Sequence, residues 1–127
     1  MSFDVQIPTR DVIKATQSGE LNLETTKWML AQIANVAKDK AGCGILIDTR
    51  KATPNLSTTD LWLLANHLAS YGRTFHRKTA VLATQESSDL VGFFKLCANN
   101  RGFPVSTFTD YDEAMSWLLW PVEAKAA

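Results

Sequence analysis

The stretch GILIDTRKATPNLSTTD, Gly44 to Asp60, decides the fold. Ile45, Leu46 and Ile47 form a short apolar run, Asp48-Thr49-Arg50 ends it, a Pro-containing loop follows, and Ser57 opens an amphipathic helix. A continuous apolar run bounded by turn residues reads as a strand buried on both faces, as at the centre of a parallel sheet. In open α/β sheets, ligands and partners engage the loops at the carboxyl ends of such strands. Asp48, Thr49, Arg50 and Lys51 are therefore the expected recognition loop.

C-terminal to this stretch, Ser57 and Asp60 stand at the spacing of a capping box for a helix over 57–71. Leu61, Leu64, Ala65 and Leu68 make its core stripe, and Gly72 suits its end. TAVLAT, Thr79 to Thr84, is a second short apolar strand introduced by Arg77-Lys78. Ser87 or Ser88 can cap a third helix that carries Leu90, Phe93, Phe94 and Cys97 on one face, with Asn100-Arg101-Gly102 closing it. Residues 104–108 read as a further strand with Pro104 at its first position. Asp110 and Glu113 form a capping-type pair for a last helix, with Tyr111, Ala114, Trp117 and Leu118 inward and Pro121 as its stop.

N-terminal to it, Phe3, Val5 and Ile7 alternate with Asp4 and Gln6 as in a half-buried strand. A turn at residues 8–11 and a return strand over 12–16 complete a hairpin, and Gly19 breaks the pattern. Asn22 is the expected N-cap of a helix running to about Lys40, with Leu23, Leu30, Ile33, Ala34 and Ala37 on one face. The buried strand over 43–48 follows. The order ββαβαβαβα implies right-handed crossovers and a single mixed sheet, an antiparallel hairpin followed by parallel strands, with flanking helices. Residues 1–120 are expected to form this one domain, and 121–127 a flexible tail.

Composition narrows the function classes. The 127 residues carry 13 basic and 13 acidic side chains in no like-charge block, so neither a nucleic-acid footprint nor a polybasic membrane segment is expected. No apolar run approaches the ~20 residues of a membrane span, and MSFDVQIPTRD lacks the pattern of a signal peptide. Cys43 and Cys97 lie far apart in apolar settings without Cys-x-x-Cys spacing, the pattern of reduced thiols in a cytoplasmic protein.

The early hairpin, GILIDTRKATPNLSTTDL, KTAVLA and RGFPVSTFTDYDEAMSWL occur in an order that resembles the SpoIIAA-like family, within the wider STAS and CRAL-TRIO-like class of small α/β domains. The resemblance implies a regulatory domain of the anti-sigma-factor-antagonist kind, in which a serine at the start of the helix after the central strand is phosphorylated to switch binding of a protein partner. Ser57 matches that position, with Thr58 beside it, although the family's Asp-Ser-Ser-Gly type of sequence is Leu56-Ser57-Thr58-Thr59 here. The CRAL-TRIO branch implies instead an apolar small molecule held under mobile helices.

The residues themselves offer little for catalysis. Asp48 at a strand end more often accepts from loop amides than acts as an acid or base, and no second carboxylate recurs at a useful spacing. His67 and His76 have no cysteine or carboxylate cluster around them, so no metal site is expected. Neither cysteine has a basic activator in sequence, and no Gly-x-Ser-x-Gly, Gly-x-Gly-x-x-Gly or P-loop pattern occurs, so no cofactor is implied. The surplus apolar residues are more informative. Trp28, Trp62 and Trp120, with Leu63 and Leu119, fall off the inward stripes of their helices and mark a partner surface, a homodimer seam or the lip of an apolar groove. Packing of Trp28 against the hairpin is the simpler alternative for that residue. The leading expectation is a non-catalytic cytoplasmic domain that binds a protein partner or a second copy of itself; carriage of a lipid or other apolar ligand between the sheet and the Ser57 helix is the alternative.

Overall fold

The computed structural model describes residues 2–120, and the tail expected at 121–127 lies outside them. Five strands form one sheet in the order β1-β2-β3-β4-β5: β1 (Ser2–Thr9), β2 (Val12–Leu21), β3 (Gly44–Pro54), β4 (Thr79–Leu82) and β5 (Val105–Phe108). β1 and β2 are antiparallel, and every later pairing is parallel. The helices are α1 (Leu23–Ala37), α2 (Thr58–His67), α3 (Ser88–Asn99) and α4 (Tyr111–Leu119), so the expected ββαβαβαβα order and mixed sheet are what forms.

Successive strand residues point to opposite faces, and this divides the core in two. Ala15, Ile45, Ile47 and Val81 point to one face, where Met29, Leu30 and Ile33 of α1, Leu64 of α2 and Ala98 of α3 cover them. Val12, Leu46, Ala80 and Leu82 point to the other, where Ala114 and Leu118 of α4 cover them. α4 packs mainly on β3, β4 and β5 and touches β2 at Val12 and Lys14. Past those contacts, the α4-side face at β1, β2 and the far half of β3 is left open.

Several boundaries differ from the expectation. β2 does not end at Thr16. Gly19 stays within it at φ 84°, paired with Ala52, because glycine tolerates the positive φ that would strain another residue. α1 stops at Ala37 rather than near Lys40, and α2 gives way to a 3₁₀ turn over Leu68–Tyr71 before Gly72, which has φ 66°. β4 ends at Leu82, and β5 begins at Val105, just after Pro104. Thr84 caps a short 3₁₀ turn, and Ser87, the N-cap of α3, makes no side-chain capping bond. Asp110 caps α4 by accepting from the Glu113 N–H at 2.9 Å. Lys78 holds the other end of α4, donating to the carbonyls of Trp117 (2.8 Å) and Trp120 (3.3 Å), where a cation complements the helix dipole.

Candidate functional site

The residues expected to form a recognition loop are not a loop. Asp48, Thr49, Arg50 and Lys51 all lie in β3, which continues to Pro54. Beyond Asp48, β3 has lost β4 as a neighbour, and its pairing is with β2 alone, from Lys51↔Ser18 to Pro54↔Leu21. A Pro-containing polar run is compatible with a strand there because one side of its ladder is open. Thr49 closes the departure from β4 by donating its hydroxyl to the Leu82 carbonyl at 3.0 Å.

Between the pairs Thr16↔Asp48 and Ser18↔Lys51, three steps of β3 run against two of β2. This bulge places Thr49 and Arg50 opposite Gln17, and Asp48 secures it. Its Oδ1 accepts from the Arg50 backbone N–H at 3.1 Å and from Arg50 Nε at 3.1 Å, while Oδ2 accepts from Arg50 Nη2 at 3.0 Å. The Asp48 side chain is 8% exposed and that of Arg50 41%. Burial is the largest single influence on the Asp48 carboxyl and pushes its pKa up. The hydrogen bonds and charge of Arg50, with the charge of Lys14, together outweigh it, so the net shift is downward. The same pairing holds the guanidinium pKa above its ordinary value. Asp48 thus serves the role of satisfying nearby amides, now within a bulged strand.

Ser57 is exposed and caps α2 in a complete capping box. Its Oγ accepts from the Asp60 N–H at 3.0 Å, and Asp60 Oδ2 accepts from the Ser57 N–H at 3.0 Å. Thr58 follows it, exposed, in the first turn. Arg50 and Lys51, although close to Ser57 in sequence, do not surround it. Both side chains line a basin on the α4 side of the sheet, whereas α2 packs on the opposite side, and Arg50 is committed to Asp48.

That basin, of about 380 Å³, is the open part of the sheet: Asp4 and Gln6 of β1, Lys14, Thr16 and Ser18 of β2, and Asp48, Arg50 and Lys51 of β3 line it. The Lys14 ammonium lies 5.1 Å from the centre of the Tyr111 ring at the start of α4. Sequence reading missed Lys14, Thr16 and Ser18. Their spacing of two along one strand was the available signal for a shared face.

On the other side of the sheet, Leu30, Ile47, Leu61, Leu64, Val91 and Phe94 are among the walls of an apolar cavity of about 70 Å³. The alternative of apolar-ligand carriage placed a pocket between the sheet and the Ser57 helix, and a cavity is there, but it holds only a few heavy atoms. Trp62 and Leu63 do not line it.

The off-stripe aromatics separate into three places. Trp28 on α1 packs edge-to-face on Phe3 of β1 with ring centres 5.3 Å apart, so the hairpin packing forms, and the indole is still 44% exposed. Trp120 follows α4 on the far face of the sheet. Trp62 (48% exposed) and Leu63 (39%) face solvent from α2. The Arg101 guanidinium sits 5.4 Å from the Trp62 ring centre, bonded to Asn66 Oδ1 and, at 2.7 Å, to the Cys97 carbonyl.

His67 packs on Tyr71 and His76 stacks on Phe103, while Cys43 and Cys97 are buried as free thiols. Among the described residues no group of three His, Cys, Asp or Glu side chains is placed to hold a metal, and no helix is long and apolar enough to cross a membrane.

No family model matches the chain, and no curated protein does. Solved structures do. The anti-sigma factor antagonist SpoIIAA in its unphosphorylated form superposes with a TM-score of 0.57 at 14% identity, covering 94% of this chain and 100% of that one. A protein of the DUF3478 family from Shewanella loihica PV-4, described as having a SpoIIAA-like fold, superposes with a TM-score of 0.58 at 18% identity over 92% of both chains. The chain has a SpoIIAA-like fold, as the ordered motifs implied.

Proposed function

We propose that this chain is a non-catalytic regulatory domain that acts by binding a protein partner through the outer surface of α2. The observation that carries the reading is the exposed Trp62 and Leu63 on the helix that Ser57 caps, with Arg101 stacked on the indole. Tryptophan and arginine dominate the energetics of protein interfaces, and a stacked, hydrogen-bonded guanidinium is already ordered before a partner arrives. The fold adds support, since SpoIIAA is named for antagonising an anti-sigma factor. In this reading residues 1–120 form the binding unit. A phosphate on Ser57 would act locally. It would stand beside the Asp60 carboxylate that already accepts from the Ser57 N–H, and like-charge repulsion would loosen the first turn under Trp62.

Photocrosslinking in the source cells tests this. A benzophenone amino acid at position 62 or 63 is expected to give one discrete crosslinked protein, which the same probe at position 16 on the opposite face does not give. Absence of a product from both α2 positions, or the same products from position 16, would refute the assignment.

A further inference from the structure

The open face of the sheet carries an arrangement that the α2 surface does not use. In an unbroken strand, Arg50 and Lys51 would point to opposite faces. The bulge resets the alternation: Lys51 pairs with Ser18, Ser18 shares its face with Thr16, and Arg50 and Lys51 consequently line the same basin. Lys14 enters it from the neighbouring strand. Three cations from two strands therefore surround a floor of hydroxyls.

From this we propose that the basin binds a small ligand through a single oxyanion, phosphate or carboxylate, held by Lys14, Arg50 and Lys51 with the hydroxyls of Thr16 and Ser18. Among the described residues, the Lys51, Thr16, Ser18 and Gln6 side chains have no hydrogen-bond partner, and Lys14 has only the Tyr111 ring and the distant charge of Asp48. Their donors are free to turn to a ligand. Arg50 is fixed by its two bonds to Asp48 through Nε and Nη2, which leaves Nη1 available in a set orientation. The acidic groups nearby offset part of this charge but leave Lys14 and Lys51 outside any ion pair among the described residues. Asp48 is neutralised by Arg50, Asp110 bonds the Glu113 amide and reaches Arg50 only by its charge, and Asp4 stands exposed on the edge strand. A volume of about 380 Å³ suits a small-molecule ligand.

The test is an amide-resolved NMR titration of the whole chain with inorganic phosphate and, separately, with acetate, against sodium chloride at equal ionic strength. Saturable shifts at Lys14, Thr16, Ser18, Arg50 and Lys51 are expected. Saturation by phosphate alone identifies a phosphoryl ligand, by acetate alone a carboxylate, and by both a site for either. Lys14→Gln and Lys51→Gln should each weaken binding about three- to tenfold, since each removes one partly solvated charge contact, and Lys51→Gln, which gives up no side-chain partner, should leave the unfolding midpoint unmoved. Shifts no larger than those with chloride, saturation at other residues, or unchanged affinity in the double substitution would overturn the proposal. The photocrosslinking result at α2 bears on none of these outcomes.

Discussion

Replacing Asp48 by asparagine probes the bulge and the electrostatics of the basin together. The amide oxygen can still accept from the Arg50 backbone N–H, but the new NH₂ group faces Arg50 Nη2 where Oδ2 accepted at 3.0 Å. A charge-assisted hydrogen bond is worth about 1.5–3 kcal/mol when buried. Arg50 is 41% exposed and partly rehydrates, which reduces the expected loss to about 1–2 kcal/mol. Relief of the buried carboxylate works in the opposite direction, yet the lowered pKa of Asp48 means that its partners outweigh that burial. Because the folded-state pKa lies below the unfolded value of about 3.9, the stabilisation is fully present above that pH and is lost as pH falls through the folded pKa. Urea unfolding at stepped pH is the assay. Wild type should exceed Asp48→Asn at neutral pH, and the two should converge in strong acid. A variant equal to wild type at neutral pH, or a gap that does not change with pH, would refute this account of the pair.

Three other substitutions test the packing and the cap. Gly44→Ala puts a Cβ 3.0 Å from Leu118 Cδ2, so the packed Leu118 side chain must give by a few tenths of an ångström, and a loss of about 1 kcal/mol is expected by thermal unfolding. Leu64→Ala, at a buried wall of the existing apolar cavity, should lower stability by about 3 kcal/mol, and the enlarged dry space should bind benzene, seen as a raised unfolding midpoint that wild type does not show. Ser57→Ala should cost about 1 kcal/mol, with Ser57→Ala/Asp60→Ala less than additive in chemical denaturation because the two side chains close one capping box.

What the sequence made legible was local chemistry. Asn22, Ser57 and Asp110 cap the helices they were expected to cap, because an oxygen-bearing side chain before an apolar stripe has one efficient use for that oxygen. The apolar run over 45–47 became the central strand because three consecutive buried residues need cover on both faces. The far half of β3 was hidden because its partner is β2, more than thirty residues away, and TRKATP has neither alternation nor an apolar run. The bulge was hidden for the same reason, and with it the turn of Lys51 into the basin. The Asp48–Arg50 pair, two residues apart on one strand, was readable in principle once those residues were taken as strand. Trp62 was placed outward by helix phase alone, whereas Arg101 above it comes from the end of α3, which no local pattern could supply.

The central claim, that α2 presents a protein-binding surface, is tested most directly by the mass of the assembly purified gently from its source cells and held intact in native electrospray. The account predicts a species containing a second polypeptide, a partner or another copy, that reverts to a single chain in Trp62→Asp while unfolding stays cooperative. A single bare chain for the wild type, or an assembly that survives Trp62→Asp unchanged, would contradict it.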